Sequence, residues 1–423
     1  MVVPARSQLR RLEQDQSMTA ANSAPRLSAW RFVLGFGVVS LFGDFVYEGA
    51  RSVTGPVLAT LGASAVVVGI VTGVGEAAAL LLRLVSGPLA DRSRRFWSWA
   101  IAGYAITVLA VPLLGYAGVL WVASGLVIAE RVGKAVRSPA KDAILSFATS
   151  GIGRGRGFAI QEALDQVGAI IGPLVVAGML LITGDDYGPS LAVLAIPGLI
   201  ALGLVLWLRS RAPDPEAYEP RTTATAVPEP RGKLPLVFWR YAAFCGTTML
   251  GFATFGVLSF HMVDQHILPA PMIPVLYAAV MGIDALAAAG TGLLYDRFGP
   301  RVLLALPPIA ALIPVFAFTE SVVPVVIGSL LWGAALGVQE STLRATVADL
   351  VPAARRGTAY GMFAVVVGVC TAIGGMIAGG LYDVSIPALI TFTIAAQGAA
   401  LVVFLAGALR DRSSASRTPP TGA

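Results

Sequence analysis

Long apolar stretches recur along this chain with few charges inside them, of which LAVLAIPGLIALGLVLWL (Leu191–Leu208) is one. A helical segment of about 20 apolar residues matches the thickness of a bilayer's hydrocarbon core. Backbone amides in hydrocarbon must be bonded within the structure, which leaves helices or a closed barrel. Barrel strands alternate polar and apolar residues over about ten positions. These blocks do not alternate, so helices are expected. Composition agrees: 56% of residues are hydrophobic and 13% charged, against roughly 25% charged in soluble domains. The net charge of +6 is scattered over short loops, which argues against a nucleic-acid partner.

The blocks predict an all-α integral membrane protein with twelve spans. They fall near residues 32–60, 66–86, 97–115, 117–137, 157–182, 190–208, 237–261, 271–291, 302–319, 321–344, 358–380 and 386–408. Let the N-terminus be cytoplasmic and the spans alternate. All but Arg51 and Arg83 of the 30 basic residues then fall on cytoplasmic tails, loops or adjoining helix ends. Acids such as Asp185, Asp186, Asp264, Glu320 and Asp383 fall on the other side. That is the positive-inside pattern. The Pro-rich insert RAPDPEAYEPRTTATAVPEPRGKLP (Arg211–Pro235) lacks apolar periodicity and reads as a linker. The expected organisation is a cytoplasmic tail (1–31), a six-helix bundle (32–208), a linker (209–236), a second six-helix bundle (237–408) and a cytoplasmic tail (409–423). The first 28 residues contain no apolar h-region, so no signal peptide is expected. Lys is confined to Lys134, Lys141 and Lys233, and Asn to Asn22. That bias suggests GC-rich coding and a bacterial inner (plasma) membrane.

The two halves echo each other. GPLADRSRR (Gly87–Arg95) follows the second span and GLLYDRFGPR (Gly292–Arg301) follows the eighth. Gly87, Leu89, Asp91 and Arg92 match Gly292, Leu294, Asp296 and Arg297 at one constant offset, and Arg95 and Arg301 extend the two segments. Arg137 and Arg344 each stand five residues before an Asp, and Arg156–Gly157 and Arg356–Gly357 open the next spans. Parallel repeats of this kind mark transporters. The loop segments resemble the G-x-L-a-D-R-x-G-R-R/K pattern of the major facilitator superfamily. In the first copy Arg94 stands where Gly is usual and Phe96 where a base is usual; the second has Gly299 in place. The resemblance implies alternating access, a cavity lined by the first, fourth, seventh and tenth spans, and loop contacts that lock the outward-open state. GAIIGP (Gly168–Pro173), with Gly168, Gly172 and Pro173, is similar to the G-x-x-x-G-P element of drug/proton antiporters in that superfamily. Close helix packing alone also accounts for it. Gly374, Gly375, Gly379 and Gly380 are read as packing residues.

Ionisable groups in hydrocarbon cost at least about 2.5–3.5 kcal/mol each at a helix centre and mark cavities or partners. Asp44, Glu48 and Arg51 are spaced by four and three residues, on one helical face. Glu76 and Arg83 share a face of the second span. Glu130 and Arg131 lie in the fourth, and Glu162 and Asp165 in the fifth, near Gln161 and Gln166. Arg131 is expected to pair with Glu162 or Asp165. Asp284 stands without a nearby base in the eighth span, which makes it a candidate proton carrier; Glu340 follows Gln339 in the tenth. Structural ion pairing is the alternative for this set. His261 and His266 are read as surface residues and Cys245 and Cys370 as small buried hydrophobes; no metal site is expected. Trp30, Trp97, Trp121 and Trp239 fall near span ends, as interfacial anchors do.

There is no G-x-x-x-x-G-K-[ST] phosphate loop, H-E-x-x-H, C-x-x-C or G-x-S-x-G element. No enzyme chemistry and no cofactor are expected; a proton gradient is the expected energy source. The leading expectation is proton-coupled efflux of a drug-like or amphiphilic small molecule by a monomer. A proton symporter importing a polar metabolite and a non-transporting receptor are the alternatives.

Overall fold

The structure, a computed structural model, describes residues 27–149, 153–218, 234–352 and 355–415. The rest of the expected N-terminal tail, most of the linker (219–233) and the C-terminal tail from 416 lie outside the described residues. The described residues are nearly all helical, with no strand among them. In chain order the helices are α1 (Ala29–Thr60), α2 (Ala65–Leu81), α3 (Arg83–Ser93), α4 (Phe96–Gly115), α5 (Leu120–Thr149), α6 (Arg154–Thr183), α7 (Tyr187–Ala192) and α8 (Ala195–Arg211). After the linker come α9 (Leu236–Leu250), α10 (Phe255–Asp264), α11 (Met272–Phe298), α12 (Leu306–Ala317), α13 (Val322–Leu350), α14 (Arg356–Val384) and α15 (Ile386–Ala415).

Ten helical stretches among the described residues are long and apolar enough to cross a membrane. Twelve were expected from the sequence. Helix α5 carries Glu130, Arg131, Lys134, Arg137 and Lys141 and is too charged to qualify by hydropathy. The stretch Met272–Ala317 counts once although it holds α11, a 3-10 segment (Gly299–Ala305) and α12. The molecule is also apolar on its outside, as a lipid-facing surface must be: Ile182 is 80% exposed and Trp121 73%.

Local chemistry sets the helix ends. Ser28 caps α1 by accepting from the Arg31 amide, and Asp186 caps α7 by accepting from Gly188. The chain unwinds between α9 and α10, and the Trp332 indole donates to the freed Ala253 carbonyl at 2.9 Å, as buried backbone in a membrane requires. The two echoed loops share a backbone feature. Arg94, at the end of α3, has φ +53°, and Gly299, at the end of α11, has φ +61°. Gly is favoured there because a Cβ is strained in that region, and Arg94 bears the strain in the first copy.

One end of the bundle holds Arg31, Arg92, Arg94, Arg95, Arg209, Arg297 and Arg301; we call it the basic end. The opposite, far end holds Asp185, Asp264, Glu320 and Asp383. In the first half α1 packs along α6, and α4 along α5; in the second α11 packs along α13. Between the halves α2 lies along α14, α1 touches α10 and α6 touches α11. These seams are backbone against backbone. A Cβ on Gly69 would fall 2.1 Å from the Gly375 carbonyl, and one on Gly379 2.2 Å from that of Ala65. A Cβ on Gly55 would meet the Gly256 carbonyl at 2.2 Å. Within the first half, Gly168 and Gly172 each stand 2.1 Å, by the same measure, from backbone oxygens of α1 (Leu41 and Phe45).

The start of the linker folds back on the first half. Tyr218 donates to the Leu27 carbonyl at 3.0 Å, and Glu216 accepts from Arg94 at 2.6 Å. That hydrogen bond raises the pKa of Arg94 further above its ordinary range, the charge of Glu216 adding to it. Trp30, Trp121 and Trp239 are exposed at helix ends, whereas Trp97 is buried and donates to the Ala212 carbonyl. Both cysteines are free thiols.

Candidate functional site: a buried ion network

Helices α1 and α5 run antiparallel, and their polar residues interlock. Ser40, Asp44, Tyr47 and Arg51 step along α1 by four, three and four residues; Lys141, Arg137, Lys134 and Glu130 step back along α5 by the same intervals. Residues at such spacing share a helical face, so the two rows meet level by level. The Lys141 ammonium donates to Ser40 Oγ at 3.2 Å. Arg137 Nη2 lies 3.5 Å from Asp44 Oδ1, its Nη1 donates to Thr107 Oγ1 at 3.0 Å, and its guanidinium covers the Tyr104 ring. The Lys134 ammonium sits 3.5 Å from the centre of the Tyr47 ring, and Arg51 and Glu130 line one small cavity. Arg131, Arg137 and Glu130 are all buried. Desolvating them costs several kcal/mol per ion, which the facing partners offset.

Arg51 is the hub nearer the far end. It contacts Glu48 at 3.5 Å and Glu76 at 3.1 Å, and its guanidinium lies 5.7 Å from the centre of the Trp332 ring. Glu76 also meets Arg131 at 3.6 Å, and Arg131 meets Glu130 at 3.6 Å and covers the Tyr47 ring at 4.4 Å. Glu48 Oε2 accepts a 2.5 Å hydrogen bond from Tyr277 of α11, in the second half. That length is typical of a hydroxyl donating to a carboxylate. One carboxylate thus joins the cation of one half to the phenol of the other.

Deeper toward the basic end, Asp165 accepts from Lys141 at 3.3 Å and from Gln161 at 3.0 Å. Asp284, 2% exposed, accepts from Gln166 of the first half at 3.4 Å through Oδ2, while its Oδ1 has no hydrogen-bond partner among the described residues. Glu162 and Glu340 are exposed.

The expected site residues therefore separate into groups. Asp44, Glu48, Arg51, Glu76, Glu130, Arg131 and Asp165 join the network; Asp284 stands apart, held by Gln166; Glu162 and Glu340 are exposed. Arg131 pairs with Glu76 and Glu130, not with Glu162 or Asp165 as expected, because α5 presents Lys141 at the level of Asp165. Arg83 donates to Ser138 of α5 at 3.4 Å. In the loops, Asp91, Arg92, Arg95, Asp296, Arg297 and Arg301 are exposed. A Cβ on Gly87 would meet Pro139 at an ordinary 3.7 Å, and one on Gly292 nothing within 4 Å.

Sequence reasoning missed Lys141 by ending the fourth span at residue 137, and counted Lys134 and Arg137 with the cytoplasmic helix-end charges; α5 runs on to Thr149. Their spacing with Glu130 was the available signal. His261 is buried, not on the surface, with one ring nitrogen 2.8 Å from the Tyr382 hydroxyl and the other 3.0 Å from the Thr319 carbonyl; His266 is exposed. Among the described residues no group of His, Cys, Asp or Glu could hold a metal.

The description "Major Facilitator Superfamily" belongs to the sequence profile that matches residues 37–375 and 261–423. An uncharacterized protein of Mycobacterium tuberculosis is 62% identical over 384 residues, covering 90% of this chain and 94% of that protein. An uncharacterized MFS-type transporter of Methanocaldococcus jannaschii is 26% identical over 381 residues, covering 88% and 93%. Among solved structures, the nucleoside transporter NupG superposes with a TM-score of 0.66 at 16% identity, covering 89% of this chain and 98% of that one. Helices with apolar outer faces, paired loop motifs and a profile that spans both halves converge: the chain belongs to the Major Facilitator Superfamily, a multi-pass membrane transporter of a small molecule and not an enzyme.

Proposed function

We propose that the chain is a proton-coupled secondary transporter that exports a drug-like or amphiphilic small molecule by alternating access. In this reading it is a monomer of the bacterial plasma membrane, with twelve passes, two six-helix bundles (32–208 and 237–408) and both termini cytoplasmic. Two further passes come from α5, whose charges α1 offsets, and from counting α11 and α12 separately. The basic end then faces the cytoplasm.

The observation that carries the reading is the position of Glu48. Ionised, it attracts Arg51 and accepts from Tyr277 across the halves. Protonated, it would lose the charge attraction and compete with the phenol as a donor. Proton uptake at this carboxylate therefore weakens a contact between halves, which is what coupling a proton to a conformational change requires. Asp284, held by a neutral amide, is the second candidate carrier. The exposed Glu162 and Glu340 would meet the solute. The proposed gating role of Gly87, Asp91, Arg92 and Arg95, and of Gly292, Asp296, Arg297 and Arg301, belongs to the opposite state, in which the basic end closes. Polar walls of this kind also favour the alternative, symport of a polar metabolite.

The test is solute counterflow and pH-driven flux in liposomes. The reading expects flux that depends on the imposed pH gradient in wild type, and Glu48→Gln that exchanges solute but ignores the gradient. Flux indifferent to the gradient in wild type would overturn proton coupling. The sign of solute movement against the gradient decides between efflux and symport.

A further inference from the structure

The far end of the molecule carries a contact that the ion network does not explain. Helix α2 begins at Ala65, and its nominal cap, Ser64, makes no side-chain hydrogen bond to it. The first amides of a helix need acceptors. Here they find one in the other half: Asp383, near the end of α14, accepts from Ala65 N through Oδ1 and from Val66 N through Oδ2, each at 3.0 Å. A carboxylate at a helix N-terminus also gains from the aligned peptide dipoles. The neighbouring residue anchors this end of α14 to its own half: the Tyr382 hydroxyl meets His261 at 2.8 Å and donates to Asp264 at 3.2 Å. A pull on Asp383 is therefore felt by the second half as a body.

We propose that Asp383 is a positioning residue of the transport cycle, a latch that holds the far end shut by capping the first turn of α2. The inference rests on the alternating-access reading above. Two features suit a latch. It is exposed, so water can replace its bonds when it opens. It also closes over the glycine seam, where Gly69 and Gly379 let the backbones approach far enough for a short carboxylate to reach. The antiparallel register gives it a counterpart. Stepping 26 residues from Ala65 reaches Asp91, and stepping back 26 from Asp383 reaches Gly357, in the first turn of α14. In this state Asp91 is exposed, and a Cβ on Gly357 would meet nothing within 4 Å. Among the described residues α14 thus caps the start of α2 at one end, while Asp91 of α3 makes no cap on the start of α14 at the other, and Asp383 and Asp91 would alternate.

The experiment measures distances between spin labels in a Cys245→Ser, Cys370→Ser background, in lipid nanodiscs. One pair, Val119→Cys with Val323→Cys, reports the far end; another, Ser98→Cys with Phe298→Cys, reports the basic end. Asp383→Ala is expected to raise the population with the far end apart and the basic end together by about fivefold, the scale of a lost helix cap. Asp383→Asn, which keeps one acceptor, should shift it less, and Asp91→Ala should shift it the other way. An unchanged ratio between two populated states in Asp383→Ala, even with lowered thermal stability, would overturn the latch alone. A single distance at each end in every variant would overturn both the latch and alternating access.

Discussion

The two halves share a plan but divide the electrostatics unequally. The first half sets five bases among facing acids and rings, Arg131 and Arg137 buried and Arg51, Lys134 and Lys141 half-buried. The second half brings Asp284 and Glu340, neither in an ion pair among the described residues, and otherwise offers aromatic groups: Tyr277, Trp332, Phe252 and Phe255. The difference teaches that duplication preserved the scaffold while the charge work settled on one side. The ion network gives the first half a rigid polar spine. The second half meets it through groups that bind or release without leaving a buried charge stranded, namely a phenol, an amide-held acid and an indole.

This contrast can be broken by substitution. The largest effect is expected from Arg51→Met, which leaves Glu48 without its cation and Glu76 with Arg131 alone. Removing one partner from a buried pair costs about 3–5 kcal/mol, so thermal unfolding in detergent should move sharply down. Asp284→Asn loses no ion pair and should change stability by less than about 1 kcal/mol; equal losses for the two would erase the distinction between the halves. Next comes the packing seam. Gly168→Ala places a methyl against the Leu41 carbonyl and should cost about 1–3 kcal/mol, whereas Gly282→Ala, with nothing within 4 Å, should be neutral in the same melting assay. The echoed loops come last and end on the smallest effect. Gly299, at φ +61° and ψ −150°, occupies a region close to glycine-only, so Gly299→Ala should destabilise by about 1–3 kcal/mol. Arg94→Gly relieves strain of about 1 kcal/mol but loses the Glu216 contact, and should be near neutral or slightly stabilising. Matching losses at both positions would mean that the left-handed turn matters in only one copy.

Much of the fold was legible because apolar length, basic loops and the Asp-Arg segments are local signals. Gly168 and Gly172 were legible as packing residues for the same reason: small side chains one turn apart announce a close neighbour. Two things were not. The extent of α5 was hidden because its second half carries Arg137 and Lys141, which resemble loop charges until a partner helix is supplied. The pairing of Arg131 was hidden because it depends on the register of α5 against α1, α2 and α6, which intervals within one helix do not contain. Buried His261 was missed for a related reason, since both its partners, Tyr382 and Thr319, are distant in sequence.

The central claim is that Glu48 links protonation to the contact between the halves. The most direct measurement is the far-end distance between labels at Val119→Cys and Val323→Cys, followed from alkaline to acid pH in wild type and in Glu48→Gln. The account predicts that acid raises the far-end-open population in wild type, because protonation frees Glu48 from Arg51 and Tyr277, and that Glu48→Gln is flat with pH. A pH response of the same size in Glu48→Gln would contradict it and place the coupling proton elsewhere, with Asp284 the next residue to neutralise.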